Sequence, residues 1–110
     1  MMRNDRDLIY IEHILECIGR IEQYTGGNRE RFFSDRMLQD AVLRVLQVMA
    51  ESSQRLSSET RSACEQIDWR GIAGFRNILV HDYLGGIDLT LVWQVIDQEL
   101  PALKKAFLVF

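Results

Sequence analysis

Apolar residues recur along this chain three and four positions apart, the spacing that places them on one face of an α-helix. The first such stretch runs from about Asp5 to Tyr24, and Gly26 and Gly27 end it. Its apolar positions are Leu8, Ile11, Ile14, Leu15, Ile18 and Ile21. A helix with one apolar stripe needs another element to cover that stripe, so the pattern predicts a helical bundle.

The second helix is predicted after a loop with the sequence GGNRERFF. Ser34 or Asp35 can cap its start, and the pattern continues to about Leu56. Its apolar stripe is Met37, Leu38, Ala41, Val42, Val45, Val48 and Met49. The polar segment that follows, SSETRSACEQID, predicts a short helical turn.

Two further helices are predicted on either side of the glycines at 85–86. The third runs from Trp69 to about Tyr83, and Asp88 can cap the fourth. The stripe of the fourth is Leu89, Val92, Val95, Ile96, Leu100, Leu103, Ala106 and Phe107. Pro101 lies inside this stripe and should kink or split the helix, because proline lacks a backbone N–H and clashes with the preceding turn.

No alternating strand pattern, internal repeat or low-complexity segment occurs in the sequence. We therefore expect an all-α fold, an antiparallel up-and-down bundle of four main helices with a short extra helix. The length of 110 residues suits one domain over residues 1–110.

The composition gives no whole-chain argument for nucleic-acid binding. The net charge is -3 and the sequence pI about 5.3, so an RNA or DNA ligand would need a local basic patch. Arg29, Arg31 and Arg36 around the first connection are the best candidates, and they could equally be solvated loop arginines.

The cysteines do not indicate a metal site, and the apolar runs do not indicate a membrane span. Cys17 and Cys64 lie far apart and fit no metal-ligand spacing. Charges interrupt the N-terminal stretch, and no apolar run approaches the roughly 20 residues that span a bilayer. We expect a cytoplasmic protein without a membrane partner.

The third helix is unusual because both of its sides carry apolar residues. Ile72, Phe75, Ile78 and Leu79 fall within an arc of roughly 120° and form the predicted bundle face. The opposite arc holds Trp69, Ala73, Gly74, Arg76, Asn77, Val80, His81 and Tyr83. Another helix of the bundle or a second copy of the chain could cover that outer arc, and the pattern favours neither.

Arg76 and His81 have the side chains that metal-independent RNA cleavage needs. A histidine can take the proton of a 2′-hydroxyl, and a guanidinium can stabilise the charge that develops on the phosphate. The two residues are five positions apart, so on one helix they diverge by roughly 140°. A two-fold dimer through this face would repeat both groups in one groove. The alternative is a structural polar cluster without chemistry.

The spacing Arg76, four residues, His81, one residue, Tyr83 has the form R-x4-H-x-Y. That motif resembles the signature of the HepT-like toxins in the HEPN superfamily of small α-helical ribonucleases. The stretch IDWRGIAGFRNILVHDY resembles the third helix of that family, and VWQVIDQELPALKKAF is similar to its last helix.

The resemblance implies a homodimer whose motifs face each other across a groove, with metal-independent endoribonuclease activity and no cofactor. It implies that Arg76 and His81 are the catalytic pair and that Asn77 orients the histidine or the phosphate. It also implies a nucleotidyltransferase antitoxin that transfers AMP onto Tyr83 and so silences the toxin. RNA would be the substrate.

A second function fits the same residues. The chain could be a non-catalytic helical partner or scaffold that holds a nucleotidyltransferase and presents Tyr83 to it. Outside the motif, we expect His13 to lie on the surface and Trp69 to pack, with a place on the dimer face as its candidate role. Glu51 could contact RNA or the antitoxin.

Overall fold

The computed structural model describes residues 5–81 and 86–109, and every regular element in these ranges is a helix. The elements are α1 (Asp5–Thr25), α2 (Arg29–Ser34), α3 (Arg36–Gln54), α4 (Ser58–Ala63), α5 (Trp69–His81), α6 (Leu89–Gln94), a π-helical turn (Val95–Glu99) and α7 (Leu100–Leu108). The predicted all-α bundle is confirmed, with the third helix described as far as His81.

Helices α1 and α3 form the centre of the bundle. Helix α3 packs against α1 on one side and α5 on the other, and α7 closes against α1. The predicted stripes supply the core, with Ile14, Ile18, Ile21, Val42, Leu46 and Val92 at most 1% exposed. Met37 departs from its predicted stripe and is 79% exposed, whereas its neighbour Leu38 is 6% exposed, so the buried side of the first turn of α3 passes through Leu38.

The segment predicted as a loop between the first two long helices contains the short helix α2, so that prediction is wrong. Asn28 caps the helix, its side-chain oxygen accepting a hydrogen bond from the backbone N–H of Arg31 at 3.0 Å. Phe32 is fully buried, with its ring centroid 5.5 Å from that of Trp93. Six residues are too few to form a stable isolated helix, so the burial of Phe32 holds this turn in place.

Pro101 splits the last helix, as predicted. It is the second residue of α7, and the turn before it widens into a π-helix in which the Leu100 N–H bonds to the carbonyl of Val95. A proline ring in a regular α-helix clashes with the carbonyl four residues earlier, and the wider turn relieves this clash.

No described helix is both long enough and apolar enough to cross a membrane. Cys17 and Cys64 are both free and both buried.

A polar cluster ties the start of α1 to the start of α4. The Asp7 side chain is 2% exposed, and its carboxylate accepts hydrogen bonds from the Ser57 N–H at 3.0 Å and the Thr60 hydroxyl at 2.6 Å. The Ser57 hydroxyl also donates to it. Burial raises the pKa of Asp7, but the hydrogen bonds of Ser57 and Thr60 and the charge of Arg6 bring the pKa below its ordinary value of 3.8.

We predict that Asp7→Asn lowers the free energy of unfolding by about 2 kcal/mol, because it weakens charge-assisted hydrogen bonds in a buried cluster. Since the pKa of Asp7 is lower in the folded state, its stabilising contribution is present above pH 3.8 and is lost as the pH falls through the folded-state pKa. Urea denaturation at neutral pH and at decreasing pH measures both effects. The exposed Glu12→Gln in α1 is the control, and equal stability of the two variants would contradict the prediction.

Candidate active site

Helix α5 carries the predicted site, and its start is held by contacts within the chain. The Asp68 carboxylate accepts a hydrogen bond from the Gly71 N–H at 2.9 Å. The Trp69 indole N–H donates to the carbonyl oxygens of Arg61 and Cys64, at 3.0 and 3.1 Å. Its ring centroid lies 6.1 Å from that of Phe107. Because these contacts use both the ring and the N–H of Trp69, the residue is a packing anchor within the chain, and its candidate role on a dimer face loses its basis.

The inner side of α5 is only partly closed. Phe75 and Leu79 are buried against the core, as predicted. Ile72 and Ile78 are half-buried instead, because they line an open apolar cavity of about 390 Å³ between α5 and the last helices. Helix α5 therefore has its main contact with α3.

The outer side of α5 is covered at its start and exposed towards its end in the described part of the chain. Asn77 and His81 are exposed, and the apolar side chain of Val80 is 38% exposed. Among the described residues, helices of the same chain therefore cover Trp69 of this arc and leave Asn77, Val80 and His81 exposed.

Among the described members of the predicted site, Arg76 is the one that is partly withdrawn from solvent. Its side chain is half-buried, and its Nε atom is inaccessible to solvent and has no hydrogen-bond partner. A buried donor without an acceptor costs about 1–3 kcal/mol, and more for a charged group. A ligand with anionic oxygens beside this guanidinium would supply the missing acceptor.

One chain does not bring Arg76 and His81 together. Both belong to the continuous helix α5, so five residues separate them by roughly 7.5 Å along the axis and 140° around it. No hydrogen bond joins the side chains of Arg76, Asn77 and His81 in the described structure. Asn77 and His81 are four residues apart and share one side of the helix. Tyr83, the last residue of the motif, lies outside the described residues.

His13 is not the surface residue that we expected. Its ring Nδ1 lies 2.6 Å from the Ser52 hydroxyl of α3, and its Nε2 lies 3.7 Å from the Cys17 sulfur. Position 13 faces α3 because it lies between Ile11 and Ile14 on the buried side of α1. Burial raises the pKa of the Cys17 thiol, so the thiol stays protonated and these three residues form a packing contact. No group of three or more potential metal ligands occurs among the described residues.

The arginines and the glutamate singled out in the sequence occupy different places. The Arg29 guanidinium lies over the Phe33 ring, 4.6 Å from its centroid, and Arg31 is exposed on α2. Arg36 lines a cleft beside α3. Glu51 is half-buried near the end of α3.

Two charged residues of α3, Asp40 and Arg44, were not predicted from the sequence. They line an open cleft of about 260 Å³ together with Leu79 and Val80 of α5, one turn from Arg76. The available signal was the spacing of charged residues at 36, 40 and 44, which repeats every four positions on the polar side of α3.

Known proteins with similar sequences identify the family of this chain. The family described as "Ribonuclease HepT-like" matches residues 14–109. A "Probable ribonuclease HepT" from Thermococcus cleftensis is 33% identical over 108 residues, covering 97% of this chain and 96% of that protein. A "Putative RNase" from Caldanaerobacter subterraneus subsp. tengcongensis is 37% identical over 97 residues, covering 87% of this chain and 86% of that protein.

A third relative is longer. A "Gamma-glutamylcyclotransferase and putative RNase" from Methanocaldococcus jannaschii is 41% identical over 101 residues, which is 91% of this chain and 45% of that protein. The present chain thus spans under half of that relative's length. No solved structure shows a significant match. With a family match over residues 14–109 and relatives that align along almost their whole length, this chain belongs to the HepT-like ribonucleases.

Proposed function

We propose that this protein is a metal-independent endoribonuclease toxin of a toxin–antitoxin pair and that its site is composed of Arg76 and His81 from two copies of the chain. The observation that best supports this proposal is the exposed outer side of α5 in the described structure. His81 is exposed there, and the buried Nε of Arg76 lacks a hydrogen-bond acceptor. Family membership and relatives named as ribonucleases support the same activity. We assign the protein to the cytoplasm, and its two free buried thiols agree with a reducing compartment.

The chemistry uses only side chains and the RNA itself. His81 takes the proton of a 2′-hydroxyl, and the resulting oxygen attacks the adjacent phosphorus. The bond from phosphorus to the 5′-oxygen breaks, the leaving oxygen takes a proton from water, and His81 returns its proton to the solvent. The products are a 2′,3′-cyclic phosphate and a free 5′-hydroxyl. Arg76 stabilises the negative charge on the non-bridging oxygens during the attack. Asn77 shares a side of α5 with His81 and orients the ring or the phosphate.

A homodimer would bring an arginine and a histidine together, although the Arg76 and His81 side chains of one chain point in different directions. A two-fold contact through the outer side of α5 would place Arg76 of one copy near His81 of the other. The exposed Val80 gives that surface an apolar component. The small side chain of Ala73 permits a close approach on this side, whereas Gly74 lines the apolar cavity towards the last helices.

The regulatory part of the proposal rests on Tyr83 of the R-x4-H-x-Y motif. A partner nucleotidyltransferase would use ATP, with the tyrosine oxygen attacking the α-phosphorus and pyrophosphate leaving. The new phosphodiester would carry negative charge close to the motif arginine and compete with RNA for it.

We predict that the wild type cuts single-stranded RNA in the presence of EDTA and that His81→Ala lowers the rate at least a hundredfold, since a general base contributes about 10²–10⁴. Arg76→Ala should lower the rate by a comparable factor. Arg76→Lys should lower it less, because lysine keeps the positive charge but lacks the forked donors of the guanidinium. Gel assays of labelled RNA measure the rates, and circular dichroism checks folding. The exposed Arg20→Ala in α1 is the control.

Equal cleavage by all these variants would rule out the Arg76–His81 site. If the wild type itself fails to cut RNA while mass spectrometry finds Tyr83 unmodified, the scaffold function replaces the enzymatic one.

We predict that Val80→Asp weakens self-association at least tenfold, because each copy would place a charge in the apolar part of the contact. Size-exclusion chromatography with light scattering over a concentration series measures the dimer fraction. The control is Ile9→Asp, at an apolar α1 side chain that is 66% exposed. A wild type that stays monomeric, or equal association of both variants, would contradict this contact.

We predict that Tyr83→Phe cuts RNA like the wild type and gains no adenylyl group when coexpressed with the nucleotidyltransferase partner, because phenylalanine has no oxygen to attack ATP. Intact-mass spectrometry detects the modification, and Tyr24→Phe, on α1, is the matched control. An adenylyl group on the Tyr83→Phe protein would place the modification elsewhere.

A further inference from the structure

Two adjoining clefts run along the polar side of α3 and share Asp40 and Leu43. The first, of about 260 Å³, lies between α3 and the end of α5, with Arg44 on one wall and Val80 on the other. The second, of about 320 Å³, extends towards the start of α6, with Arg36 on one wall and Ile87 on the other. Together they form one open channel, which we name the α3 furrow.

The furrow carries two cations that are available to a ligand. Arg36 and Arg44 are both exposed, and neither is within 4 Å of a carboxylate of the described residues; the Lys104–Glu22 ion pair joins α7 to α1 instead. The lining residues on the opposite side of the furrow are uncharged: Leu79, Val80, Gly86, Ile87 and Leu89.

Three acidic residues accompany these arginines. The Asp35 carboxylate, which directly precedes Arg36, caps α3 by accepting a hydrogen bond from the Leu38 N–H at 3.2 Å. The Asp88 carboxylate caps α6 by accepting a hydrogen bond from the Thr90 N–H at 2.9 Å. Asp40 lies between the two arginines on α3 and is exposed. The charged residues that line the furrow therefore alternate, positive, negative and positive, while Asp35 and Asp88 cap helices beside it.

The spacing of the two arginines suits successive sites on a polyanion. Eight residues of α-helix separate Arg36 from Arg44 by roughly 12 Å. This distance exceeds the rise of one nucleotide, about 3.4 Å per strand in a duplex, so the arginines would meet different phosphates of one strand.

The furrow also lies next to the proposed catalytic arginine. Leu79 and Val80, which line the furrow, follow Arg76 by three and four residues and therefore flank it one turn further along α5. A strand in the furrow would pass the partly buried guanidinium whose Nε lacks an acceptor.

We propose that the α3 furrow guides the RNA substrate to the cleavage site. Arg44 and Arg36 bind backbone phosphates, and the negative charge of Asp40 repels them and weakens this binding. This inference rests on the proposed ribonuclease function and adds to it a substrate path on α3. Phosphate contacts of this kind set position and affinity without selecting sequence. They also explain how a chain with net charge -3 could hold RNA through a local surface.

The test uses a fluorescent single-stranded RNA with 2′-O-methyl groups, which blocks the nucleophile, so binding to the full-length protein can be measured without cleavage. Anisotropy titrations at several salt concentrations give both the affinity and its salt dependence. We expect Arg44→Gln and Arg36→Gln each to weaken binding roughly threefold to tenfold and to flatten the slope of log K against log salt by about 0.7, the value for one single-strand phosphate contact. Arg20→Gln in α1, outside the furrow, should match the wild type.

Asp40→Asn distinguishes electrostatics from a folding defect. Removing this negative charge should tighten RNA binding, the opposite direction to the arginine variants, whereas a structural role would make all three substitutions weaken it. The proposed role of the furrow in RNA binding would be overturned by a loss of affinity in Asp40→Asn. It would also be overturned by arginine variants that bind RNA as well as Arg20→Gln does.

The furrow and the ribonuclease function fail in different ways. If the wild type cuts unmodified RNA in EDTA but the arginine variants bind and cut as well as Arg20→Gln, the furrow is wrong and the ribonuclease function stands. If the wild type neither binds the 2′-O-methyl RNA nor cuts unmodified RNA, both are overturned.

Discussion

The packing of α5 against α3 is the contact on which the functional surface depends. Phe75 and Leu79 bury one side of α5, and the α-helical period then leaves Asn77, Val80 and His81 on the other side. Each buried phenylalanine or leucine contributes about 1.5–3 kcal/mol, so these two side chains fix the rotation of α5 about its own axis. The direction in which the motif points follows from that rotation.

This rotation has a chemical consequence because Arg76 lies at the boundary between the two sides. Its Nε is inaccessible to solvent and unpaired, whereas His81 extends into solvent. A partly dehydrated guanidinium interacts more strongly with an anion than a fully solvated one does, since water screens it less. The divergence of the two side chains on one helix favours a site completed by a second copy over one built within a single chain.

Polar contacts away from the proposed site stabilise the packing of the helices around α5. Asp7 connects the start of α1 with Ser57 and Thr60 at the start of α4, and His13 contacts Ser52 of α3. The segment from α4 supplies the carbonyl oxygens that hold the Trp69 indole at the beginning of α5. None of these contacts performs chemistry. Together they connect α1, α3 and α4 with the start of α5, the helix that carries the proposed site.

The sequence by itself determined the helices, their stripes, the break at Pro101 and the two-sided pattern of α5, because these depend on local periods and on backbone chemistry within a few residues. It also carried the motif of Arg76, Asn77 and His81. Only the tertiary structure decided that Phe32 would stabilise a helix in the expected loop, that His13 would be half-buried and that Trp69 would pack within the chain. It alone brought Arg44 beside Val80, because such contacts join residues far apart in the chain and depend on how whole helices are rotated against each other.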